Sequence, residues 1–484
     1  MIDCKKVNYS KLGFFRFKKT NKDYLLTNDI GDYIFLSPMD FDQYLQGKLE
    51  KKSSKYLELK RKNFIGDEFN LEQHVEKYRR KNQFLFSAGP SLHIVVVTLR
   101  CDHKCVYCQA SSCFVDDKNK DLSEETARKI VDYIFSSPNK NIAIEFQGGE
   151  PLLNWPVVKF IIEYALKKNK EEKRDLELRL VSNFTGMDEE KMNYLLKKGV
   201  IFCTSLDGPE KLHNKNRILI NKNSHQNTVK WLKKILKKYK KYYIYQPGAL
   251  TTVTRYSLPV YEKIIDQYIE LGLDNIILRP LTPLGMARKT WQKIGYSTSQ
   301  FLEFYRKSLD YILELNIKKG LRFREMIATN MLTKILTDKD PNYFELRSPC
   351  GAGIGQALYN YNGDVYTCDE GRMIGEETFK IGSVLTDSYD DIIDNPTIRT
   401  MCLASCLDNL PCDNCVYKPY CGTCPIISYV ESGNIFPQLP TSSRCQLSQG
   451  IFDYIFKKMQ EDDKIKKIFL EWATSRHQFN KKLC

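Results

Sequence analysis

Between residues 92 and 281 the spacing of apolar positions switches repeatedly, and in a regular order. Leu92–Leu99 is a near-continuous apolar run with the length of a buried strand. Glu124–Phe135 then repeats apolar residues every three or four positions, as a helix with one buried face does. The exchange continues with strand-like Ile142–Phe146, Leu176–Val181, Val200–Leu206, Ile244–Thr254 and Asn275–Leu281. Helix-like Val157–Ala165, Met187–Leu196, Thr228–Leu236 and Pro259–Leu271 separate them. This alternation predicts an α/β fold of parallel strands joined by crossover helices. Six strands fit a partial (β/α)6 barrel, with functional groups at the carboxyl ends of the strands.

Those strand ends carry the candidate chemistry. After the first strand comes Leu99-Arg100-Cys101-Asp102-His103-Lys104-Cys105-Val106-Tyr107-Cys108. Spacings of three and two residues let one short loop present three thiolates to a single iron–sulfur cube. Three ligands for four irons leave one iron with an open position. Zinc with a fourth ligand from elsewhere, or a loop of buried thiols, is the other reading of the triplet. The second strand ends in Gln147-Gly148-Gly149-Glu150-Pro151. Paired glycines there permit close backbone approach to a ligand, and proline stops the strand.

A Cys-x3-Cys-x2-Cys loop after one strand, with Gly-Gly-Glu ending the next, resembles the radical SAM superfamily. The resemblance implies a 4Fe–4S cluster on Cys101, Cys105 and Cys108, with S-adenosyl-L-methionine bound to its unique iron. Gly148, Gly149 and Glu150 would line the methionine amino group, and Tyr107 would face the adenine. It further implies a 5′-deoxyadenosyl radical that removes a substrate hydrogen. The protein's part in such chemistry is orientation and exclusion of water. Ser182-Asn183, ending the third strand, matches the ribose contact, although a polar turn reads the same way. Ser205-Leu206-Asp207-Gly208-Pro209, followed by His213 and Arg217, resembles a signature of the peptide-modifying branch, with Asn214 where Asp is usual. Ser205 and Arg217 would hold the methionine carboxylate. Asp207 is expected only to shape the turn, and Arg279 is a weaker candidate at the sixth strand end.

Nine of the sixteen cysteines fall between residues 350 and 445. Cys412-x2-Cys415-x5-Cys421-x2-Cys424 is too tight for a zinc ribbon, whose cysteine pairs stand ~12–20 residues apart. With Cys350-x12-Gly363-x4-Cys368 before it and Cys445 after it, the pattern resembles the SPASM extension, which carries auxiliary 4Fe–4S clusters. It departs at Cys421-x2-Cys424, where three intervening residues are usual. Mapped by position, Cys412, Cys415, Cys421 and Cys445 would hold an outer cluster. Cys350, Cys368 and Cys424 would hold an inner one, its fourth ligand being Cys406, Cys402 or none. Asp369 follows Cys368; in the similar anaerobic sulfatase maturases the acid at this place takes a proton from the substrate, a sensible task beside an electron acceptor. Cys4, Cys113, Cys203 and Cys484 match nothing and are expected to be free thiols.

Three short apolar runs, Phe14–Lys18, Tyr24–Thr27 and Tyr33–Leu36, precede helix-like Met39–Gln46 and Lys52–Lys60. This order resembles winged-helix-like elements that take a leader peptide as an added strand; a structural cap on the barrel is the other reading. The expected organisation is residues 1–65 as that element, 66–90 as a polar connector, 91–320 as the barrel, 321–450 as the SPASM domain and 451–484 as a helix.

Composition changes the picture little. The net charge of +15 comes with lysines interleaved with acids on helix-like stretches, the pattern of solvated helix faces. No motif reads a nucleic-acid groove. No apolar run approaches the ~20 residues of a membrane span, and the first residues do not form a signal peptide. Clustered thiols in a lysine-rich chain fit a reducing cytoplasm.

Over nearly its whole length the chain is most similar to the His-Xaa-Ser system radical SAM maturases. This resemblance implies oxidation, cross-linking or epimerisation of a ribosomally made peptide with a leader and possible His-Xaa-Ser repeats, with partner maturation proteins and a one-electron donor such as flavodoxin or ferredoxin. A sulfatase-type formylglycine maturase is the alternative enzyme. A zinc-binding interaction or nucleic-acid-binding protein is the alternative of another class.

Overall fold

A computed structural model describes residues 7–86 and 88–475. Cys4 and Cys484 lie outside the described residues. Three amino-terminal strands, β1 (Arg16–Lys19), β2 (Tyr24–Thr27) and β3 (Tyr33–Leu36), form an antiparallel sheet in that order. The helices Pro38–Leu45 and Ser54–Arg61 follow, each started by a serine whose side chain accepts from a backbone N–H of the first turn. The span expected to be a connector contains a helix, Leu71–Lys81. Its Leu71, Val75 and Tyr78 stand at helical spacing but are exposed, and the polar, charged residues around them give the segment the composition of a connector.

Six strands then alternate with helices: β4 (Leu92–Thr98), β6 (Asn141–Gly148), β7 (Asp175–Ser182), β8 (Ile201–Ser205), β10 (Gly248–Thr252) and β11 (Asn275–Arg279), while β5 (His103–Cys105) and β9 (Arg217–Leu219) pair with each other. The six are parallel, in sequence order. This is the predicted α/β architecture of a partial (β/α)6 barrel. The sheet core is Val95, Val97, Ile144, Phe146, Leu180, Phe202 and their neighbours, all essentially inaccessible to water. On the order of 2 kcal/mol accompanies each such side chain.

The cysteine-rich region is continuous with the barrel. Beyond β12 (Arg324–Glu325), which adds to β11, the strand β13 (Gln356–Tyr359) pairs parallel with β4 on the opposite edge. The strands β14 (Asp364–Tyr366) and β15 (Lys380–Ser383) extend that edge as an antiparallel meander. At the seam His93 Nδ1 lies 2.9 Å from the Tyr359 hydroxyl. The carboxyl-terminal part is two helices, Ser443–Glu461 and Asp463–Thr474, the first of which starts upstream of Cys445. Among the described residues no helix is long and apolar enough to cross a membrane.

Candidate active site

The first cysteine loop is anchored before it does any chemistry. Arg100 is buried and donates from Nε and Nη2 to the two oxygens of Asp121, both at 2.7 Å. It also donates to the carbonyls of Val115 and Leu153. The backbone of Cys113 closes the loop: its N–H donates to Leu99 O, and its carbonyl accepts from Cys101 N. A Cβ on Gly148 would stand 2.1 Å from Thr98 O, and one on Gly149 would stand 2.2 Å from Arg100 O. The main-chain N–H groups of Gly149 and Glu150 donate to those same carbonyls at 2.8 Å. The two glycines therefore seat the cysteine loop, where the sequence suggested close approach to a ligand.

Cys101, Cys105 and Cys108 interact electrostatically in series, Cys101 with Cys105 and Cys105 with Cys108. Burial pushes the Cys105 thiol up to about 12. Desolvation makes Cys101 and Cys105 costly to ionise unless a cation joins them, and a metal–sulfide cluster supplies one. The donor set fits such a group.

Around this loop the strand ends converge. Glu150 is inaccessible to water and accepts from Ser182 Oγ at 2.7 Å, Asn183 N at 2.7 Å and Leu152 N at 3.0 Å. Burial raises its pKa to about 7, against the pull of those donors. Asn183 Nδ2 donates to Asp102 Oδ1 at 2.9 Å. Ser205 ends β8 and is half-buried. Arg217 stands directly across from Cys105 in the β5–β9 pair.

Asp207 does more than shape a turn. Its carboxylate accepts from the Tyr107 hydroxyl at 2.7 and 2.9 Å and from Asn216 Nδ2 at 3.1 Å. Arg217 Nη1 donates to the same hydroxyl at 3.1 Å. Asp207 thus orients Tyr107 and Arg217 together, although nothing in its local sequence marks it as a hub. The main-chain N–H of Asp207 donates to His213 Nδ1, so His213 Nε2 carries the proton and donates to Ser224 Oγ at 2.9 Å. Ser224 Oγ also lies 2.7 Å from His103 Nε2. Burial, then the nearby Arg217 charge, holds His213 neutral.

The carboxyl-terminal cysteines gather in two groups. Cys412, Cys415, Cys421 and Cys445 line one cavity of about 200 Å³ and interact mutually. Cys350, Cys368 and Cys424 line a second cavity of about 590 Å³. Cys113 and Cys203 join neither group. Asp369, Glu370, Glu145 and Arg279 also face the larger cavity. Burial and the adjacent Asp369 carboxylate raise Glu370 well above the ordinary carboxylate range, and Arg279 Nη2 lies 3.5 Å from it. Arg372 Nη2 donates to Ala110 O at 2.9 Å, joining this segment to the first cysteine loop.

The model of the Radical SAM superfamily matches residues 95–260. Those residues are a radical SAM domain. It spans β4 to the loop after β10 and contains the three-cysteine loop and the strand ends just described. A radical SAM domain takes S-adenosylmethionine with a 4Fe–4S cluster, and the cysteine-rich region beyond it fits auxiliary clusters. An uncharacterized protein of Methanocaldococcus jannaschii is 30% identical over 192 residues, 39% of this chain and 62% of that protein. The chain therefore spans about three fifths of that relative. A cysteine-type anaerobic sulfatase-maturating enzyme of Clostridium novyi is 24% identical over 344 residues, 68% of this chain and 86% of that enzyme. Among solved structures, native anSMEcpe with bound AdoMet superposes with TM-score 0.63 at 19% identity, covering 76% of this chain and 98% of the other. Streptococcus suis SuiB bound to precursor peptide SuiA superposes with TM-score 0.55 at 15% identity, covering 91% of this chain and 99% of the other. Both structures share the fold.

Proposed function

We propose that this protein is a radical SAM enzyme that modifies a ribosomally synthesised peptide. The observation that carries the reading is one cavity lined by Glu145 from within β6, Arg279 at the end of β11, Asp369 and three tail cysteines. Arg372 locks its floor to the Cys101–Cys108 loop. In this reading Cys101, Cys105 and Cys108 hold the radical SAM cluster, Cys412, Cys415, Cys421 and Cys445 an outer auxiliary cluster, and Cys350, Cys368 and Cys424 an inner one. When bound, these groups supply one-electron cleavage of S-adenosylmethionine, hydrogen abstraction from the substrate and removal of the resulting electron.

The chain's own residues do the rest. Gly148, Gly149, Glu150, Ser182 and Asn183 shape the cofactor's seat. Arg217, held by Asp207 through Tyr107, supplies a guanidinium for a carboxylate. Asp369 faces the cavity as the general base that accepts the proton released when a substrate side chain is oxidised. The apolar walls, among them Leu250, Ile277 and Phe301, exclude water.

The amino-terminal sheet would dock the leader. On the outer edge of β3 the carbonyls of Tyr33 and Phe35 already accept from Lys62 and Lys55. That leaves β1, beside exposed Phe14 and Phe17, as the edge for an added strand. Peptides with His-Xaa-Ser repeats, with partner maturation proteins and a flavodoxin or ferredoxin as donor, are the first candidates to supply. The likeness to the Clostridium novyi enzyme keeps formylglycine formation as a second reading, which the mass change of the peptide separates.

The test is anaerobic reconstitution with a short peptide encoded nearby, following 5′-deoxyadenosine and peptide mass together. Cys105→Ala should abolish both signals. Protein that purifies without oxygen, holds zinc and lacks iron would refute the reading.

A further inference from the structure

The inner cysteine group contains three thiols, and neither remaining cysteine completes it. Cys350, Cys368 and Cys424 share the large cavity, and each interacts electrostatically with at least one of the others. Cys402 interacts electrostatically with Cys350. Cys406 interacts with Cys402, while its thiol lies 3.9 Å from Asp408 Oδ2. Neither Cys402 nor Cys406 lines the cavity.

Glu370 does. A carboxylate oxygen of Glu370, one of Asp369 and Cys368 Sγ lie within 4.8 Å of one another. Both carboxylates line the cavity with the three cysteines; Glu370 is the one in contact with Arg279, 3.5 Å away, and it interacts electrostatically with Cys350, Cys368 and Cys424. Three thiols and a carboxylate oxygen on the wall of one cavity form a mixed sulfur and oxygen donor set that suits iron.

We propose that Glu370 supplies the fourth ligand, through a carboxylate oxygen, of the iron–sulfur centre held by Cys350, Cys368 and Cys424. The inference rests on the auxiliary-cluster reading above. A carboxylate is a harder ligand than thiolate, which makes the iron it holds chemically distinct from the other three. Arg279, 3.5 Å from one oxygen of Glu370, orients the side chain from the barrel side.

The experiment compares full-length wild type, Glu370→Ala, Glu370→Gln, Cys402→Ala and Cys406→Ala after anaerobic reconstitution, by iron content, Mössbauer and EPR spectroscopy. The expected result is that both Glu370 variants lose about one iron per chain and, once oxidised, show the signal of a three-iron centre. The two cysteine variants should match wild type. Retention of the other two clusters shows that the variants are folded, and the isosteric Gln variant guards against a packing artefact. Glu370 variants with the wild-type spectrum, or Cys402→Ala or Cys406→Ala with the three-iron signal, overturn the assignment. A wild type with only two clusters overturns the auxiliary-site reading as well, so the two failures are distinguishable.

Discussion

Arg372 donates from Nη2 to the main-chain carbonyl of Ala110 at 2.9 Å, and its charge also acts on the Cys108 thiol. One buried guanidinium thereby fixes the short helix Asp369–Ile374 against the cysteine loop 262 positions earlier in the chain. Hydrogen bonds to a charged group contribute about 1.5–3 kcal/mol. Arg372→Met should keep S-adenosylmethionine cleavage and lose coupling. We expect 5′-deoxyadenosine per modified peptide to rise roughly tenfold or more, measured by quantifying both products in one reaction.

Gly149 has a Cβ position already filled by the Arg100 carbonyl, 2.2 Å away. Gly149→Ala should displace the cysteine loop and lower iron at the first site by roughly four per chain. Gly248→Ala is the control, because a methyl group there meets nothing closer than 3.8 Å. Iron analysis of the two variants with the auxiliary cysteines intact decides the matter.

Asp207 is buried and positions both Tyr107 and Arg217. Asp207→Asn keeps the shape but removes the charge. The expected outcome is a KM for S-adenosylmethionine raised about tenfold or more, since a loss of 1.4 kcal/mol is a factor of ten in binding. The rate at saturating cofactor should change much less. Equal losses in both parameters would refute a positioning role toward the cofactor.

His93 couples stability to pH at the seam between barrel and tail. Burial lowers its pKa to about 3 in the folded chain. Unfolded histidine titrates near 6.5, so the unfolded state takes up a proton first as pH falls. The contribution is complete above about pH 6.5 and declines down to about pH 3, by at most on the order of 5 kcal/mol. Denaturant titrations across that window should show a steeper acid limb for wild type than for His93→Phe.

The six barrel strands and their helices were legible because β4 is buried almost throughout, the other strands bury alternate residues, and each helix buries one face, which leaves periods of apolar residues in the chain. The cysteine loop, Gly-Gly-Glu and the tail cysteines were legible because metal ligands must be particular atoms at short spacing. Other features left no such trace. The helix Leu71–Lys81 carries three apolar residues among charged and polar ones, too few to stand out from a connector. The close approach of Gly148 and Gly149 to the Thr98 and Arg100 carbonyls left no trace, because those neighbours are main-chain atoms, which any sequence possesses.

The sequence by itself determined the barrel's strands and helices, the donor atoms and the order in which parallel strands lie, since short-range periodicity and ligand chemistry are properties of neighbouring residues. Only the tertiary structure decided that Asp207 serves Tyr107 and Arg217, that Arg372 reaches Ala110, and that Glu370 lines a cavity with three cysteines while Cys402 and Cys406 do not. Those pairings depend on the relative placement of remote segments, which is set by packing and carries no local residue pattern.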